Sequence, residues 1–407
     1  MVKGFRGLGR GLSRGLGMAL LAACACMGAG SATAQDLKFS VPLPLTGVLA
    51  FTGQIQQSAW QHAVDYINKN GGIRGRKIDL SLYDDEYKVD LGVAGFKKAV
   101  TSGDIVFAGG DGTPFIRAIS PENNERYKVL MSNTGMASDL VDTTKYPYHF
   151  LAAPNYTDMF DMLFRYMKNK QGSGPAPKVA LVYSSTEFGR DPIENAKKKA
   201  AALGINIVLE EETKFGGVEI GASAIKLRNA GADYVIFHGY AGGVWPEILK
   251  QAQVYGIKAQ FMGTAFGADP ELVRGVGPAA DGFLGVVPYN LIVKDSSAPM
   301  MKVIDGYLRS WKTKPYTGYA NMSYMQIWVT ALILREAITN VIDAKKPLNG
   351  ENLIAAVRAM KESDFGGIYA APIGLVRQRI PAGVIYRYSV KADSFSATPE
   401  VPFVRAE

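Results

Sequence analysis

Short apolar runs alternate with amphipathic stretches along the chain from Asp36 onward. The runs are typical of buried strands and occur at Leu37–Leu43, 77–83, 104–108 and 128–131, then again at 178–183, 205–209, 234–237 and 260–262. Between them lie stretches of helical period, at 54–70, 91–101 and from Pro114, then at 191–203, 219–230 and 244–255. In the first of these, Ile55, Ala59, Ala63 and Ile67 form one apolar stripe, and Gly71-Gly72 ends it.

Repeated strand–helix–strand units with nearly continuous apolar strands predict parallel sheets covered by helices on both faces. The pattern runs twice, with over a hundred residues in each series, so the sequence predicts an α/β protein with two doubly wound lobes. The Gly/Pro/Ser-rich segment 172–177 reads as a surface loop inside the second series.

The tail departs from this alternation. It contains three helical stretches, at 296–312, 319–344 and 351–360, before a strand-like segment at 383–390. We therefore expect the chain to return to the first lobe and then cross again. The predicted lobes are 36–152 with 289–364, and 153–288 with 365–407. Repeated crossings would make the connection a multi-strand hinge.

Residues 1–34 read as a secretory signal peptide. Lys3, Arg6, Arg10 and Arg14 precede the short apolar run 16–23, and small residues end in Ala32-Thr33-Ala34. Cleavage before Gln35 is one reading, and lipidation at Cys24, which ends a lipoprotein-like 21–24 segment, is the other. Both imply export to the periplasm. No later segment reaches the ~18 uninterrupted apolar residues of a membrane span, so we expect a soluble mature protein.

Composition and charge narrow the classes of partner. The chain is 47% hydrophobic and 20% charged, as in globular proteins. The signal segment carries four positive charges and no negative ones, so removing it lowers the formal charge from +8 to +4. The remaining basic residues form no stripe interleaved with aromatics, which argues against nucleic acid. Both cysteines, Cys24 and Cys26, lie in the leader, so a chain cleaved before Gln35 has no disulfide.

No set of residues typical of an enzyme is recognisable. His62, His149 and His238 stand alone, and no C-x-x-C motif occurs, so we expect no metal and no cofactor. The G-x-S-x-G match at 11–15 falls in the signal segment without a preceding strand. The acidic run 84–86 follows a strand and is more typical of a solvated loop.

Loops after the predicted strands have the character of a ligand site. Residues 109–115, GGDGTPF, combine glycines with Thr113 as a candidate N-cap and Pro114 at the first helical position. The free N–H groups of such a helix start bind carboxylates, although simple capping would produce much of the same sequence. The loops 132–138 and 49–53 are similarly small and hydroxyl-rich, and the second adds a ring.

The second series supplies aromatic loops at 187–189, 238–240 and 264–266. Because the carboxyl ends of parallel strands share one edge of each sheet, the two sets of loops predict a cleft between the lobes.

Several longer segments resemble the Leu/Ile/Val-binding family, the periplasmic solute-binding proteins of branched-chain amino-acid-type ABC transporters. They are INKNGGIRGRKIDLSLYDDE (67–86), KVALVYSSTEFGRD (178–191), YVIFHGY (234–240) and QAQVYGIKAQFMG (251–263). The resemblance implies a type I periplasmic-binding fold, capture of a small molecule by lobe closure, and docking on a membrane permease. It also implies ligand-binding positions near Phe51, Gly112, Thr113, Thr134, Met136, Phe188, Tyr240, Ala265 and Phe266.

One departure bears on the ligand. Family members that bind amino acids carry an acidic side chain after the strand that here ends in QFMG, where this chain has Ala265 and Phe266. A buried ammonium without a counter-charge is strongly disfavoured. We therefore predict a ligand with a carboxylate or polar head and an apolar or aromatic body. A branched-chain amino acid whose ammonium meets Asp111 or Glu187 is the alternative.

A sensory module for a signalling partner is an alternative of another class. We expect an exported chain that ends at Glu407 without a membrane span to serve transport instead, as a monomer.

Overall fold

The computed structural model describes residues 35–108, 112–214, 217, 219–239, 243–375, 377–398 and 404–406. Leu37–Glu407 forms one compact unit, to which all elements of secondary structure described below belong.

The strands are β1 (Leu37–Leu43), β2 (Ile78–Asp84), β3 (Val106–Ala108), β4 (Leu130–Ser132), β5 (Lys178–Ser184), β6 (Asn206–Thr213), β7 (Tyr234–His238), β8 (Gln260–Thr264), β9 (Leu284–Val287), β10 (Ala382–Ser389), β11 (Ser394–Ala397) and β12 (Val404–Arg405). The α-helices are α1 (Ala50–Lys69), α2 (Val89–Thr101), α3 (Thr113–Glu122), α4 (Tyr156–Gln171), α5 (Glu187–Arg190), α6 (Ile193–Ala202), α7 (Ile220–Ala230), α8 (Trp245–Val254), α9 (Pro270–Val276), α10 (Pro299–Ser310), α11 (Met322–Asp343) and α12 (Gly350–Arg358). A π-helical turn at Asn123–Tyr127 and 3-10 turns at Ser138–Val141, Ala265–Ala268 and Gly277–Ala280 complete them.

The first sheet is parallel and has the strand order β2-β1-β3-β4. The chain leaves β1 toward one side to form β2 and then returns to the other side for β3. This reversal places a topological switch point between β1 and β3, the position at which open α/β sheets bind ligands.

The second sheet has the order β11-β10-β9-β8-β7-β5-β6, with β12 paired to β10. Strands β5 to β9 are parallel, and β10 joins antiparallel to β9. Its switch point lies between β5 and β7. The α/β class and the two wound sheets predicted from the sequence are therefore present, whereas the predicted lobe boundaries stay a prediction.

Helix α11 is the central helix beside the first sheet and packs along α1. It is apolar and long enough to cross a membrane by length and composition, yet 72% of its most apolar window is buried inside the protein. Trp328, Ile333 and Leu334 are among its fully buried side chains. The buried share identifies it as a core helix.

The turn from β1 into α1 depends on a close approach between two backbone segments. Helix α1 begins at Ala50, four residues earlier than predicted. A Cβ on Gly53 would lie 2.0 Å from the Pro44 carbonyl oxygen, so no larger residue fits there without displacing the turn. This packing fixes where the first turn of α1 lies relative to the end of β1.

Candidate functional site

The segments that follow strands of the two sheets carry most of the residues that the sequence analysis assigned to the site. Phe51 follows β1, Gly112 and Thr113 follow β3, and Thr134 and Met136 follow β4. From the second sheet, Phe188 follows β5 and Phe266 follows β8.

Thr113 is the first residue of α3, and Gly112 is its N-cap with φ of +143°. The predicted N-cap role of Thr113 is therefore wrong: the helix starts one residue earlier, and no side chain caps it. The Thr113 hydroxyl is buried without a hydrogen-bond partner, and its residue is 1% exposed. An unpaired buried hydroxyl beside free helix N–H groups is a donor set suited to a carboxylate.

The loop after β4 lies directly against this helix start. A Cβ on Gly135 would be 3.5 Å from the Thr113 amide nitrogen, so the two loops are in contact. The Thr134 carbonyl accepts a hydrogen bond of 3.2 Å from Gln326 Nε2 of α11. The Met136 side chain is fully buried, and its carbonyl accepts from the Tyr156 amide at 2.9 Å. Met136 therefore holds the loop through its backbone carbonyl, and its side chain offers no hydrogen-bond donor to a ligand.

Aromatic rings connect this loop to the second sheet. The Tyr156 ring at the start of α4 lies 4.9 Å from that of Phe188, measured between centroids. Phe188 in turn lies 5.8 Å from Phe266 in an edge-on contact. Phe188 and Phe266 are 2% and 8% exposed, so they form a wall that is already packed in this conformation.

His238 forms hydrogen bonds to the two segments that carry Phe188 and Phe266. Its Nε2 lies 3.2 Å from the Phe188 carbonyl oxygen and its Nδ1 lies 2.7 Å from the Thr264 hydroxyl. Because a carbonyl can only accept, Nε2 carries the proton and Nδ1 accepts from Thr264. Burial lowers the pKa of His238 to about 3, so the ring is neutral.

A cavity of about 240 Å³ opens beside Phe266. Phe51, Ile55 and Leu272 line its more exposed parts, and Phe51 is 38% exposed. Thr52, Phe266, Asp269, Met322 and Ser323 supply its buried lining, with Glu271 and Asn321 completing it. Phe51 lies in the first turn of α1 rather than in a loop, because the helix begins earlier than the sequence suggested.

Asp269 is the buried carboxyl group of this cavity. Its Oδ2 accepts from Asn321 Nδ2 at 2.7 Å and from the Met322 amide at 2.9 Å, and its Oδ1 accepts from the Glu271 amide at 3.1 Å. The first two donors belong to the N-terminus of α11, whose dipole offsets the negative charge. Glu271 itself pairs with Lys314 and accepts from Thr317.

An ionic network joins the helix after β3 to the segment after β5. Arg117 of α3 contacts Glu187 Oε1 and Asp191 Oδ1, each at 2.5 Å, and Asp139 Oδ1 at 3.0 Å. Burial opposes the charge of Asp139, but hydrogen bonds from Arg117, Lys145 and Tyr146 lower its pKa to about 2. The network lies across the cleft, and it occupies Glu187, the proposed partner of a ligand ammonium.

Three of the predicted positions have no described side chain. Asp111 and Tyr240 lie outside the described residues, and Ala265 is the first residue of the 3-10 turn after β8. Among the described residues, no three His, Cys, Asp or Glu side chains are grouped closely enough to hold a metal ion.

Sequence reasoning missed Arg117, Asp191, Asp269, Tyr156 and Gln326. Arg117 lies on the helix that starts at the predicted site, and Glu187 and Asp191 follow the opposite strand. Complementary charge on these segments was the available signal, but it does not reveal which residues pair.

Two wound sheets, with a cavity lined by the segments that follow β1 and β8 and by the start of α11, define the class of two-lobed solute-binding proteins. The periplasmic binding protein family model matches residues 36–378, and the chain belongs to this family. It is a non-enzymatic, periplasmic substrate-binding protein of the ABC-transporter type, which takes a small-molecule ligand and works with a membrane permease.

One curated relative and two solved structures illustrate what the chain is similar to, the structures in fold alone. The Leu/Ile/Val-binding protein of Escherichia coli strain K12 is 26% identical over 340 residues, which cover 76% of this chain and 84% of that protein. A branched-chain amino acid ABC transporter protein from Thermus thermophilus, solved with bound valine, has a TM-score of 0.81 at 22% identity over 92% of this chain and 97% of its own. A solute-binding protein from Rhodopseudomonas palustris BisB5, in complex with 3,4-dihydroxybenzoic acid, has a TM-score of 0.73 at 21% identity over 91% and 98%.

Proposed function

We propose that the protein captures a small carboxylate with an apolar or aromatic body and no α-ammonium, and delivers it to an ABC permease. In this proposal the carboxylate is bound by Thr113 and the N-terminus of α3, and the body packs between Phe51, Phe188 and Phe266. The observation that carries it is the Thr113 hydroxyl, 1% exposed and without a hydrogen-bond partner, at the start of α3.

The charges around the cleft support the absence of an ammonium. Glu187 is bound by Arg117, and Glu271 is bound by Lys314. Asp269 is compensated by the α11 N-terminus. Within the described part of the chain, each of these carboxyl groups is therefore already paired or compensated.

The alternative is a branched-chain amino acid, which the naming of the E. coli relative favours. The Rhodopseudomonas structure favours an aromatic acid, since a protein of the same fold holds 3,4-dihydroxybenzoic acid. Asp111 stays the proposed ammonium partner of the alternative, because Glu187 is engaged.

A thermal-shift panel tests the two ligands. We expect benzoate-type acids to raise the melting temperature of the mature protein and leucine to leave it unchanged. Stabilisation by leucine alone would overturn the proposal and leave the transport role intact. Mass measurement of the exported protein distinguishes an N-terminus at Gln35 from one lipidated at Cys24.

A further inference from the structure

The cavity beside Phe266 changes character from its mouth to its floor. The more exposed lining includes the apolar side chains of Phe51, Ile55 and Leu272. The buried lining includes Asp269, 2% exposed, and Ser323, 4% exposed. A purely apolar ligand body would offer no hydrogen-bond donor to any acceptor at this floor that the protein itself leaves unsatisfied.

Hydrogen bonds within the protein leave a specific acceptor at this floor. Thr52 Oγ1 donates to the Leu49 carbonyl, and Asn321 Oδ1 accepts from the Ser323 and Tyr324 amides. Asp269 Oδ2 accepts two hydrogen bonds, whereas Oδ1 accepts one, from the Glu271 amide. An ionised carboxylate accepts about four hydrogen bonds, so Oδ1 retains capacity for one more.

The protonation state of Asp269 sets which ligand group can bind there. Burial raises its pKa to about 6, while the Met322 and Glu271 amides and Lys314 favour the ionised form and Glu271 opposes it. At pH 7.5 the group is ionised and therefore only accepts. A ligand hydroxyl or N–H fits this oxygen, and an ether oxygen at the same place would be repelled.

Asp269 is not placed to accept a hydrogen bond from the α-ammonium of a ligand whose carboxylate is bound at Thr113. Asp269 lines the cavity, whereas Thr113 does not. An α-ammonium is held two bonds from its carboxylate, beside the donors at Thr113. The group that meets Asp269 belongs to the opposite end of the ligand.

We propose that the ligand carries a hydrogen-bond donor at the end remote from its carboxylate, and that Asp269 is the specificity-determining residue that accepts from it. This inference rests on the proposed function, because it assumes a carboxylate bound at Thr113. In an aromatic acid, this donor would be a hydroxyl group para to the substituent that carries the carboxylate.

Calorimetric titration at pH 7.5 tests the inference with three series of acids of increasing length. They are benzoate, phenylacetate and 3-phenylpropanoate, each unsubstituted, with a 4-hydroxyl and with a 4-methoxyl. We expect the hydroxylated acid of at least one series to bind about tenfold or more tightly than both of its analogues. In Asp269→Asn this preference should fall to within about threefold.

A control variant and a second readout keep the outcomes distinct. Glu247→Gln is the control, because Glu247 lies outside this cavity, is 51% exposed and pairs with Lys250 three residues away, so the variant should retain the preference. The wild-type panel needs no variant, so a misfolded Asp269→Asn does not remove the test. Equal binding of hydroxylated and methoxylated acids in all three series, or an unchanged preference in a folded Asp269→Asn, would overturn this inference alone. Binding of leucine with no binding of any acid would overturn the proposed function with it.

Discussion

The Arg117 guanidinium of α3 lies 2.5 Å from the Asp191 carboxylate, which follows α5 and is 2% exposed in its side chain. The other oxygen of Asp191 accepts from the Ser138 amide at 2.7 Å and the Ser138 hydroxyl at 2.6 Å. Asp191 therefore belongs to the second series of elements by sequence, yet its donors come from the first. Opening of the cleft at this point would expose these groups to water and break the contacts.

Replacing Arg117 should weaken ligand binding without touching the ligand. Apparent affinity scales with the population of the binding-competent closed form, which Arg117→Gln would reduce. We expect a rise in Kd of about tenfold, and a loss of unfolding free energy of about 1–3 kcal/mol because Asp191 stays buried without its cation. Calorimetry and urea unfolding measure the two effects.

Arg309→Gln is the matched control for that change. Arg309 pairs with Asp305 four residues away within α10 and is 51% exposed, so its removal should shift Kd by less than twofold. Equal effects of the two variants would contradict a role for Arg117 in closure.

Thr113→Val should separate binding from stability. The hydroxyl has no partner in the protein, so removing it should leave the melting temperature unchanged or slightly raised. Its loss as a donor to a bound carboxylate should weaken affinity by about tenfold to a hundredfold. Thr113→Ser, which keeps the donor, should bind within about threefold of the wild type. Normal affinity in Thr113→Val would exclude Thr113 from the site.

Stability should decline when the solution is acidified below pH 6.5. Burial lowers the pKa of both His149 and His238 to about 3, against about 6.5 when unfolded. The unfolded chain therefore binds more protons, and each histidine removes about 1.4 kcal/mol of stability per pH unit as the pH falls from 6.5 toward 3. Asp269 acts in the opposite sense between about pH 6 and 3.8, since its folded pKa is raised.

Urea unfolding at pH 7.5, 6.5 and 6.0 measures this dependence where the histidines dominate. A folded His238→Asn should have a shallower slope than the wild type, because only His62 and His149, whose pKa values burial also lowers, continue to contribute. A free energy of unfolding that stays constant across this range would contradict neutral, buried rings.

Gly53→Ala should destabilise the protein by about 3 kcal/mol or more, because its Cβ would overlap the Pro44 carbonyl oxygen. Gly306→Ala, inside α10 with no atom within 4 Å of the added methyl, should instead stabilise by up to about 1 kcal/mol. Melting temperatures of the two variants measure the contrast, and similar values would refute the packing at Gly53.

Local patterns in the sequence predict the regular elements and the loops that follow them. Strands β1, β5 and β7 were predicted correctly because each is a run of mostly apolar residues, and Gly71-Gly72 correctly marks the end of α1. Helix α4 was missed, since it is buried on most sides and lacks a single stripe. Strands β9 and β11 were also missed.

Tertiary pairing accounts for the rest of the site. Arg117 and Asp191 are 74 residues apart in sequence, and two donors to Asp269, Asn321 and Met322 at the start of α11, are 52 and 53 residues from it. The role of Thr113 depends on the exact start of α3. Because the helix begins one residue earlier than predicted, the Thr113 hydroxyl does not cap it and has no partner in the protein.

The burial of α11 has a consequence for secretion. Translocation of an unfolded chain would present Met322–Asp343, whose most apolar window has a mean hydropathy of 1.2, to the bilayer without the core that encloses it in the folded protein. Arg335 within this segment would oppose its transfer into lipid by about 2.5–3.5 kcal/mol. The Gln326 and Thr330 side chains, which are buried in the folded protein, would lower the apolarity of the segment further.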